Sequence, residues 1–125
     1  MLLKASALAF LLLLSSGCTV IGAGAASAMG GTYYISGEIK SSYPVSIYHL
    51  YKVSLYTFKE EGMKVLSVSN SKTDADIVAE FQDDTRVKVH IYYNKEGYAT
   101  IGVRVGIIAD EKRSRELLAK MERYI

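Results

Sequence analysis

The sequence predicts an α+β domain in residues 32–125, with a five-stranded antiparallel sheet and two helices on one face of that sheet. Apolar and polar residues alternate with a period of two in several short runs, as strands with one buried face require. Two further segments carry apolar residues at helical spacing. Only short turns separate the later strands, so sequential strands are expected to pair antiparallel. The predicted element order is β-α-β-β-β-β-α, and the predicted strand order in the sheet is 2-3-4-5-1.

The first strand and the first helix are predicted on either side of a proline. The strand covers residues 33–43 and ends at Pro44, which cannot donate a hydrogen bond to a central ladder. Ser46 is a favourable N-cap for the helix, and Gly62 is expected to end it in the left-handed conformation. The apolar stripe of this helix consists of Ile47, Leu50, Tyr51, Leu55 and Phe58.

Four strands are predicted next, and in the last three of them the apolar residues share one face. Their predicted ranges are 63–68, 76–82, 86–93 and 99–107. Alternation of this kind gives a sheet with one covered side and one solvent-facing side.

Two turns set the predicted register of these strands. Residues 94–98 are predicted to form a three-residue loop with Gly97 in the left-handed position, so that Ile91 faces Ile101. The turn around residues 83–85 is predicted to place Phe81 opposite Val87. Both registers keep the apolar residues on one side of the sheet, as a buried face requires.

A second helix is predicted from the N-cap Asp110 to the end of the chain at Ile125. Glu111 lies in its first turn and Arg123 in its last, which is the arrangement that the helix dipole favours. Its buried stripe is predicted to consist of Leu117, Leu118, Met121 and Ile125.

The solvent-facing side of the sheet carries the candidate ligand site of this sequence. The predicted registers give two rows across the strands, Glu80–Lys88–Arg104 and Val78–His90–Gly102. Because glycine has no side chain, His90 is expected to face a shallow gap. The alternative interpretation is a solvated sheet face with a cross-strand ion pair. The predicted ligand face consists of Lys88, His90, Tyr92 and Arg104.

The remaining polar residues give no catalytic or metal-binding pattern. A structural zinc site needs about four convergent ligands, and the two His residues are isolated in the sequence. Asp74 and Asp76, like the pair Asp83 and Asp84, fall at predicted strand ends and turns, where Asp is common for backbone reasons. No nucleophile elbow or phosphate loop is present in the sequence. We therefore expect no enzymatic activity, no metal and no cofactor.

The N-terminal segment predicts export and lipid attachment. Lys4 precedes a ten-residue apolar run, and the small residues Ser16 and Gly17 come directly before Cys18. This order is typical of a lipoprotein signal, in which the Cys thiol receives a lipid and becomes the first residue after cleavage. Residues 1–17 are thus predicted as signal peptide, Cys18 as the lipidation site and 18–31 as a Gly/Ala-rich tether. Ser15 departs from the pattern, because Leu is usual at that position.

Two other interpretations of this segment stay open. Residues 26–28 read Ala-Ser-Ala, which resembles an ordinary cleavage site that would release the protein without Cys18. Alternatively, the absence of charge between Lys4 and Glu38 would allow an uncleaved membrane helix. Small residues recur every fourth position from Gly22 to Gly30, which would suit either a flexible tether or a membrane-associated helix.

The composition limits the function classes. The 15 Lys and Arg residues nearly balance the 13 Asp and Glu residues, which argues against a nucleic-acid surface. The single Cys excludes a disulfide framework, so the domain must fold on its apolar core. Ten Tyr residues and no Trp suit the rim of a core, or a surface that binds sugars or proteins.

The chain resembles a family of small bacterial lipoproteins of unknown function. The resemblance rests on the run from Gly17 to Tyr51, which has a Cys, a Gly/Ala-rich stretch, a strand with Gly-Glu-Ile, a Tyr-Pro turn and a helix. The segment Gly-Val-Arg-Val-Gly at 102–106 and the helix after Asp110 also fit. The resemblance implies an envelope location and an α+β domain, with no established activity and no catalytic residues.

The expected function is that of a non-enzymatic envelope lipoprotein, a binding or assembly module. Its partners are expected to be the membrane, through the lipid on Cys18, and envelope proteins or glycans. Thr19 follows the Cys where Asp would favour inner-membrane retention, so we expect the outer membrane, on its periplasmic side. The alternative is binding of a small ligand, a glycan or a lipid headgroup, through the solvent-facing side of the sheet.

Overall fold

The structure is a computed structural model that describes residues 31–125. The predicted signal peptide, Cys18 and all of the predicted tether except Gly31 lie outside this range. In the described part of the chain, six strands form one antiparallel sheet in the order β1-β2-β6-β5-β4-β3, with two helices. The elements are β1 (Thr32–Ile35), β2 (Glu38–Tyr43), α1 (Ile47–Glu60), β3 (Lys64–Asn70), β4 (Asp74–Glu80), β5 (Arg86–Tyr93), β6 (Ala99–Val105) and α2 (Glu111–Glu122). Neither of these helices is both long and apolar enough to cross a membrane.

The α+β class with two helices is confirmed, but the prediction of five strands is wrong. The predicted first strand is a hairpin of two strands, β1 and β2, in which Ile35 pairs with Glu38. Ser36 and Gly37 form its turn with φ angles of 54° and 82°, the positive values that a two-residue type I′ turn requires. The predicted order of the other strands holds, with β2 beside β6, and β1 adds a new edge strand outside β2.

The predicted register between β4 and β5 is wrong by two residues. Val87 pairs with Ala79, where Phe81 was predicted. The connecting loop has the predicted three residues but is centred one residue earlier, on Asp83, because the Phe81 amide donates to the carbonyl oxygen of Thr85 at 2.9 Å. Asp84 takes the left-handed position of this loop, with φ 66°. A shift by two residues keeps every side chain on its predicted face but changes its neighbours.

The predicted turn between β5 and β6 is confirmed. The Asn94 amide donates to the carbonyl oxygen of Tyr98 at 2.9 Å, and Gly97 has φ 83°. Ile91 pairs with Ile101 as predicted. The pairings of His90 with Gly102 and of Lys88 with Arg104 follow from the same register and are also present.

Both helices begin at the predicted caps. The Ser46 hydroxyl accepts a hydrogen bond from the His49 amide, and the Asp110 carboxylate accepts one from the Arg113 amide. Gly62 ends α1 with φ 67°, and its amide donates to the carbonyl oxygen of Lys59. The second helix ends at Glu122, three residues before its predicted end.

The core lies between the helices and one face of the sheet. Each of the strands β2, β4, β5 and β6 contributes buried residues from alternate positions, and the helices contribute their apolar stripes. The largest fully buried side chains include Tyr43, Phe58, Ile39, Leu50 and Met121. Only one sheet face is covered, so the opposite face is available for a site.

Candidate functional site

The sheet face opposite the helices, here the open face, carries all four residues of the predicted ligand site. Lys88, His90 and Tyr92 alternate along β5 and therefore point to the same side. Arg104 lies beside Lys88 on β6. The structure does not gather the four into one depression, however. Lys88 and Arg104 line one depression, Tyr92 lines another, and His90 lines neither.

The first depression, here the basic cleft, has a volume of about 590 Å³. Lys88 and Arg104 share it with Arg86, a cation that was not predicted as part of the site. Its acidic member, Glu38, lies 3.6 Å from the Lys40 ammonium. Within residues 31–125, no carboxylate lies within 4.0 Å of the three cations of the cleft. The cleft is lined by Glu38, Arg86, Lys88, Arg104, Gly106 and Ile107.

Arg104 also organises the backbone around the cleft. Its Nη2 atom donates to the carbonyl oxygen of Ile107 at 2.9 Å, which holds the loop after β6. The guanidinium lies against the β1–β2 turn, where a Cβ atom on Gly37 would be 3.0 Å from Nη1. Arg104 thus has a structural role, whereas Arg86 and Lys88 are exposed on the cleft wall.

The second depression, here the tyrosine cleft, has a volume of about 440 Å³ and lies towards the β5–β6 turn. Tyr33, Tyr92 and Tyr98 line it. At its base, the buried hydroxyl groups of Ser42 and Thr100 are hydrogen bonded at 2.7 Å. Tyr33 was not predicted here, because it reaches this face only through the β1–β2 hairpin. The other lining residues are Asn94, Lys95 and Glu96.

His90 lies between the clefts in a pair that was not predicted. Its Nδ1 atom lies 2.7 Å from Oδ1 of Asp76, and its ring stacks on Tyr92 with 5.1 Å between ring centroids. The register shift causes this contact, because Asp76 occupies the position predicted for Val78. The same shift places Val78, and not Glu80, beside Lys88, so the predicted ion pair of Lys88 is replaced by an apolar neighbour.

Asp74 joins His90 and Asp76 in a group whose ligand atoms all lie within 4.8 Å of one another. Two carboxylates and an imidazole are donors that first-row transition metals accept. Each group already has a partner in the protein, however. The Ser71 hydroxyl donates to Asp74 at 2.8 Å, and Asp76 contacts His90. These hydrogen bonds explain why the three side chains lie close together, and the arrangement does not require a bound metal ion.

The shallow gap predicted beside Gly102 is filled by neighbouring side chains. A Cβ atom on Gly102 would lie 3.2 Å from Oε2 of Glu38 and 3.7 Å from Cγ of Lys40. Burial acts to lower the pKa of Lys40, but the Tyr92 side chain and the Glu38 carboxylate outweigh it, and the pKa is raised. Lys40 is therefore a charged residue near the centre of the open face. It was not predicted there, because it pairs with Gly102 between β2 and β6, two strands far apart in the sequence whose register no local turn sets.

The family comparison covers almost the entire chain. Residues 1–124 match the family model described as "Protein of unknown function (DUF3568)". The chain belongs to the DUF3568 family. The resemblance to a family of unknown function is thereby confirmed, and the family description names no activity, anchor or ligand. A comparison with curated proteins found no match.

Proposed function

We propose that this member of the DUF3568 family is a lipid-anchored module of the bacterial cell envelope that binds an anionic ligand through the basic cleft. The proposal includes no catalytic step. The observation that carries it is the set of three cations in the cleft, Arg86, Lys88 and Arg104, which have no carboxylate within 4.0 Å among residues 31–125. An anionic ligand would supply the missing negative charge.

The chemistry of the cleft favours an oxyanion. Arginine presents a planar fork of donors that matches phosphate and carboxylate groups, and lysine adds a compact positive charge. Lys88 and Arg104 are directly paired across β5 and β6, so their side chains leave the sheet side by side. A phosphate of a lipid headgroup and a carboxylate of an acidic glycan are the two sources of such an anion in an envelope.

A titration followed by NMR tests the ligand class. The mature chain from Cys18, in detergent micelles, is titrated separately with inorganic phosphate and with glucuronate. We expect saturable shifts at Arg86, Lys88 and Arg104. Saturation at the lower concentration by phosphate would indicate a lipid headgroup as the ligand, and saturation at the lower concentration by glucuronate would indicate an acidic glycan. Absence of shifts at millimolar concentration of both anions would exclude the proposal. The variant Lys59→Gln, which removes an exposed cation of α1 outside both clefts, is the matched control.

The anchor is proposed from the N-terminal segment. The lipid on Cys18 would hold the protein on the outer membrane, on its periplasmic side. Two or more acyl chains give stable attachment, whereas one gives only marginal binding. The Cys18→Ser variant is expected to leave the detergent phase on phase separation and to lose incorporation of labelled palmitate. If the variant partitions and labels as the parent does, Cys18 is not the lipidation site.

The tyrosine cleft supports a second candidate function, binding of a neutral glycan. Tyr33, Tyr92 and Tyr98 offer ring faces around the hydroxyl groups of Ser42 and Thr100, and such rings combine an apolar body with a polar tip. In the same NMR experiment, a neutral oligosaccharide from the envelope should shift these residues and leave Arg86 unchanged. Shifts at Arg86 alone would exclude this second function.

A further inference from the structure

Two isoleucines at the end of β6 are almost completely exposed. Ile107 and Ile108 each have a relative exposure of 91%, the highest among the large apolar residues of the described chain. Single exposed apolar residues are common on protein surfaces, whereas contiguous exposed apolar surface marks sites of interaction with proteins or membranes. This pair lies beside the basic cleft, which Ile107 itself lines, so exposed apolar side chains and cations are presented together on one surface.

The loop that carries the isoleucines is held in place at several points. The Gly106 amide donates to the carbonyl oxygen of Arg86 at 2.8 Å, and the Asp110 amide donates to that of Val105 at 2.9 Å. Arg104 donates to the carbonyl oxygen of Ile107. These bonds fix both ends of a short loop, so the exposure of its apolar tip is a property of the fold.

The β1–β2 hairpin adds a third apolar residue at the same end of the sheet. Its turn contacts the loop, because a Cβ atom on Gly37 would lie 3.1 Å from Cβ of Ala109. Ile35, directly before this turn, is 50% exposed. Three isoleucines therefore lie at the end of the sheet where the basic cleft opens.

The carboxylates at this end are largely paired. Asp83 lies 3.3 Å from Arg113, and Glu111 lies 3.0 Å from Arg115. The Asp110 side chain caps α2. Two carboxylates at this end form no ion pair among the described residues, Asp84 in the β4–β5 turn and Glu80, which lies opposite Arg86 on β4. The cations of the basic cleft therefore outnumber the uncompensated carboxylates around the isoleucines.

We infer that the Ile107–Ile108 loop inserts into the interface of a bilayer that contains anionic lipids, while Arg86 and Lys88 bind the lipid phosphates. This inference rests on the proposed function and names its ligand as a lipid headgroup in a membrane. An apolar tip beside unpaired cations matches a surface in which anionic headgroups lie above acyl chains. A protein partner would need carboxylates and an apolar pocket in that same arrangement.

The proposed anchor is compatible with this orientation. Even when fully extended, the segment from Cys18 to Gly31 spans at most ~50 Å. Attachment at Cys18 would therefore keep the domain close to the bilayer. Because the anchor keeps the loop near the bilayer, the effective concentration of lipid around the loop is high. Even a weak affinity of the loop for lipid is then sufficient for contact. The lipid anchor and the loop would then act as two contacts with the same membrane.

A tryptophan probe tests the inference directly, because the chain contains no Trp. The Ile108→Trp variant of the lipidated chain is placed in vesicles of phosphatidylcholine, with or without phosphatidylglycerol, prepared with brominated or unbrominated acyl chains. We expect a blue-shifted emission that brominated lipid quenches, and only in the anionic vesicles. The Lys95→Trp variant, at the opposite end of the sheet, should be neither shifted nor quenched. Equal emission in brominated and unbrominated anionic vesicles would overturn the inference.

A charge variant tests the cations. Replacing both Arg86 and Lys88 with Gln should weaken docking in anionic vesicles roughly thirtyfold and restore the Trp emission to its value in neutral vesicles. The substitutions Lys52→Gln and Lys59→Gln, on the helix layer, change the net charge equally and should have no effect. Equal quenching in neutral vesicles would overturn the role given to the cations. A blue shift that grows with protein concentration without lipid would show that a second copy covers the loop.

The same variants distinguish the two levels of proposal. If Trp at position 108 stays unquenched while inorganic phosphate still shifts Arg86 and Lys88, the membrane inference fails and the proposed function stands. If neither quenching nor phosphate shifts are observed, both fail. The Ile108→Ser variant, which leaves every residue that lines the cleft unchanged, should retain phosphate binding and weaken the contact with lipid.

Discussion

Tyr43 shows how one residue joins the two layers of the domain. Its ring is completely buried, and its hydroxyl donates to Oε1 of Glu122 at 2.6 Å near the end of α2. Burial raises the pKa of Tyr43 above its usual range, and the hydrogen bond to the carboxylate raises it further. A hydroxyl in this position must stay protonated, because its ionised form would be both desolvated and next to a negative charge.

Removal of this hydroxyl should destabilise the domain measurably. Tyr43→Phe is expected to lower the free energy of unfolding by about 1–2 kcal/mol at neutral pH, since Glu122 loses its partner but is partly solvated. Chemical denaturation measures the difference. Tyr56→Phe, on an exposed ring of α1, is the control and should change stability by less than about 0.5 kcal/mol. Equal stability of the two variants would show that the bond to Glu122 contributes nothing.

The pKa of Tyr43 also predicts a pH dependence. A pKa that is higher in the folded than in the unfolded state gives a contribution that is complete below the unfolded value, about 10 for tyrosine. The contribution is lost as the pH rises from there towards the folded value. The stability difference between the parent and Tyr43→Phe should therefore shrink above about pH 10. A difference that stays constant to higher pH would contradict the assignment.

At the scale of the element, the sequence predicted what depends on local chemistry. The caps at Ser46 and Asp110 and the glycine turns at Gly62 and Gly97 were correct, because each depends on a few neighbouring residues. The periodicity of the strands also identified the open face, since alternation alone determines which side chains share a side.

The two errors in the sheet share one physical origin, a turn with a positive φ at a residue other than glycine. Ser36 and Asp84 both adopt the left-handed region, which most residues enter at a cost, so neither gave a strong signal. The turn at Asp84 set a register two residues away from the prediction. Periodicity cannot detect such a shift, because it leaves every side chain on the same face. The contact between Asp76 and His90 and the division of the site into two clefts were therefore not predictable.

The turn at Gly97 gives the prediction that belongs to this scale. No atom would lie within 4 Å of a Cβ added at this position, so a substitution there meets backbone strain and no clash. Gly97→Val should cost ~1–2 kcal/mol, because a β-branched residue resists a φ of 83°. Lys95→Ala at the same tip should cost less than ~0.5 kcal/mol. Thermal melts compare them, and equal melting temperatures would show that the turn does not constrain φ in solution.

At the scale of the whole molecule, the open face has two different ends. The tyrosine cleft lies towards the β5–β6 turn, and the basic cleft lies at the opposite end, beside the exposed isoleucines. If the basic end faces the bilayer, the tyrosine cleft faces away from it and can meet a soluble glycan or a second envelope protein. The asymmetry of the sheet thus permits a membrane contact and a second interaction at the same time.

The central claim is that the unpaired cations of the basic cleft bind an anion. It is tested most directly by comparing two double variants with the same loss of charge, one with Gln at Arg86 and Lys88 and one with Gln at Lys52 and Lys59. The affinity of each for inorganic phosphate is measured by NMR titration at low ionic strength. We predict that the first variant loses saturable binding and that the second binds as the parent does. Equal binding by both variants, or an equal loss in both, would contradict the account.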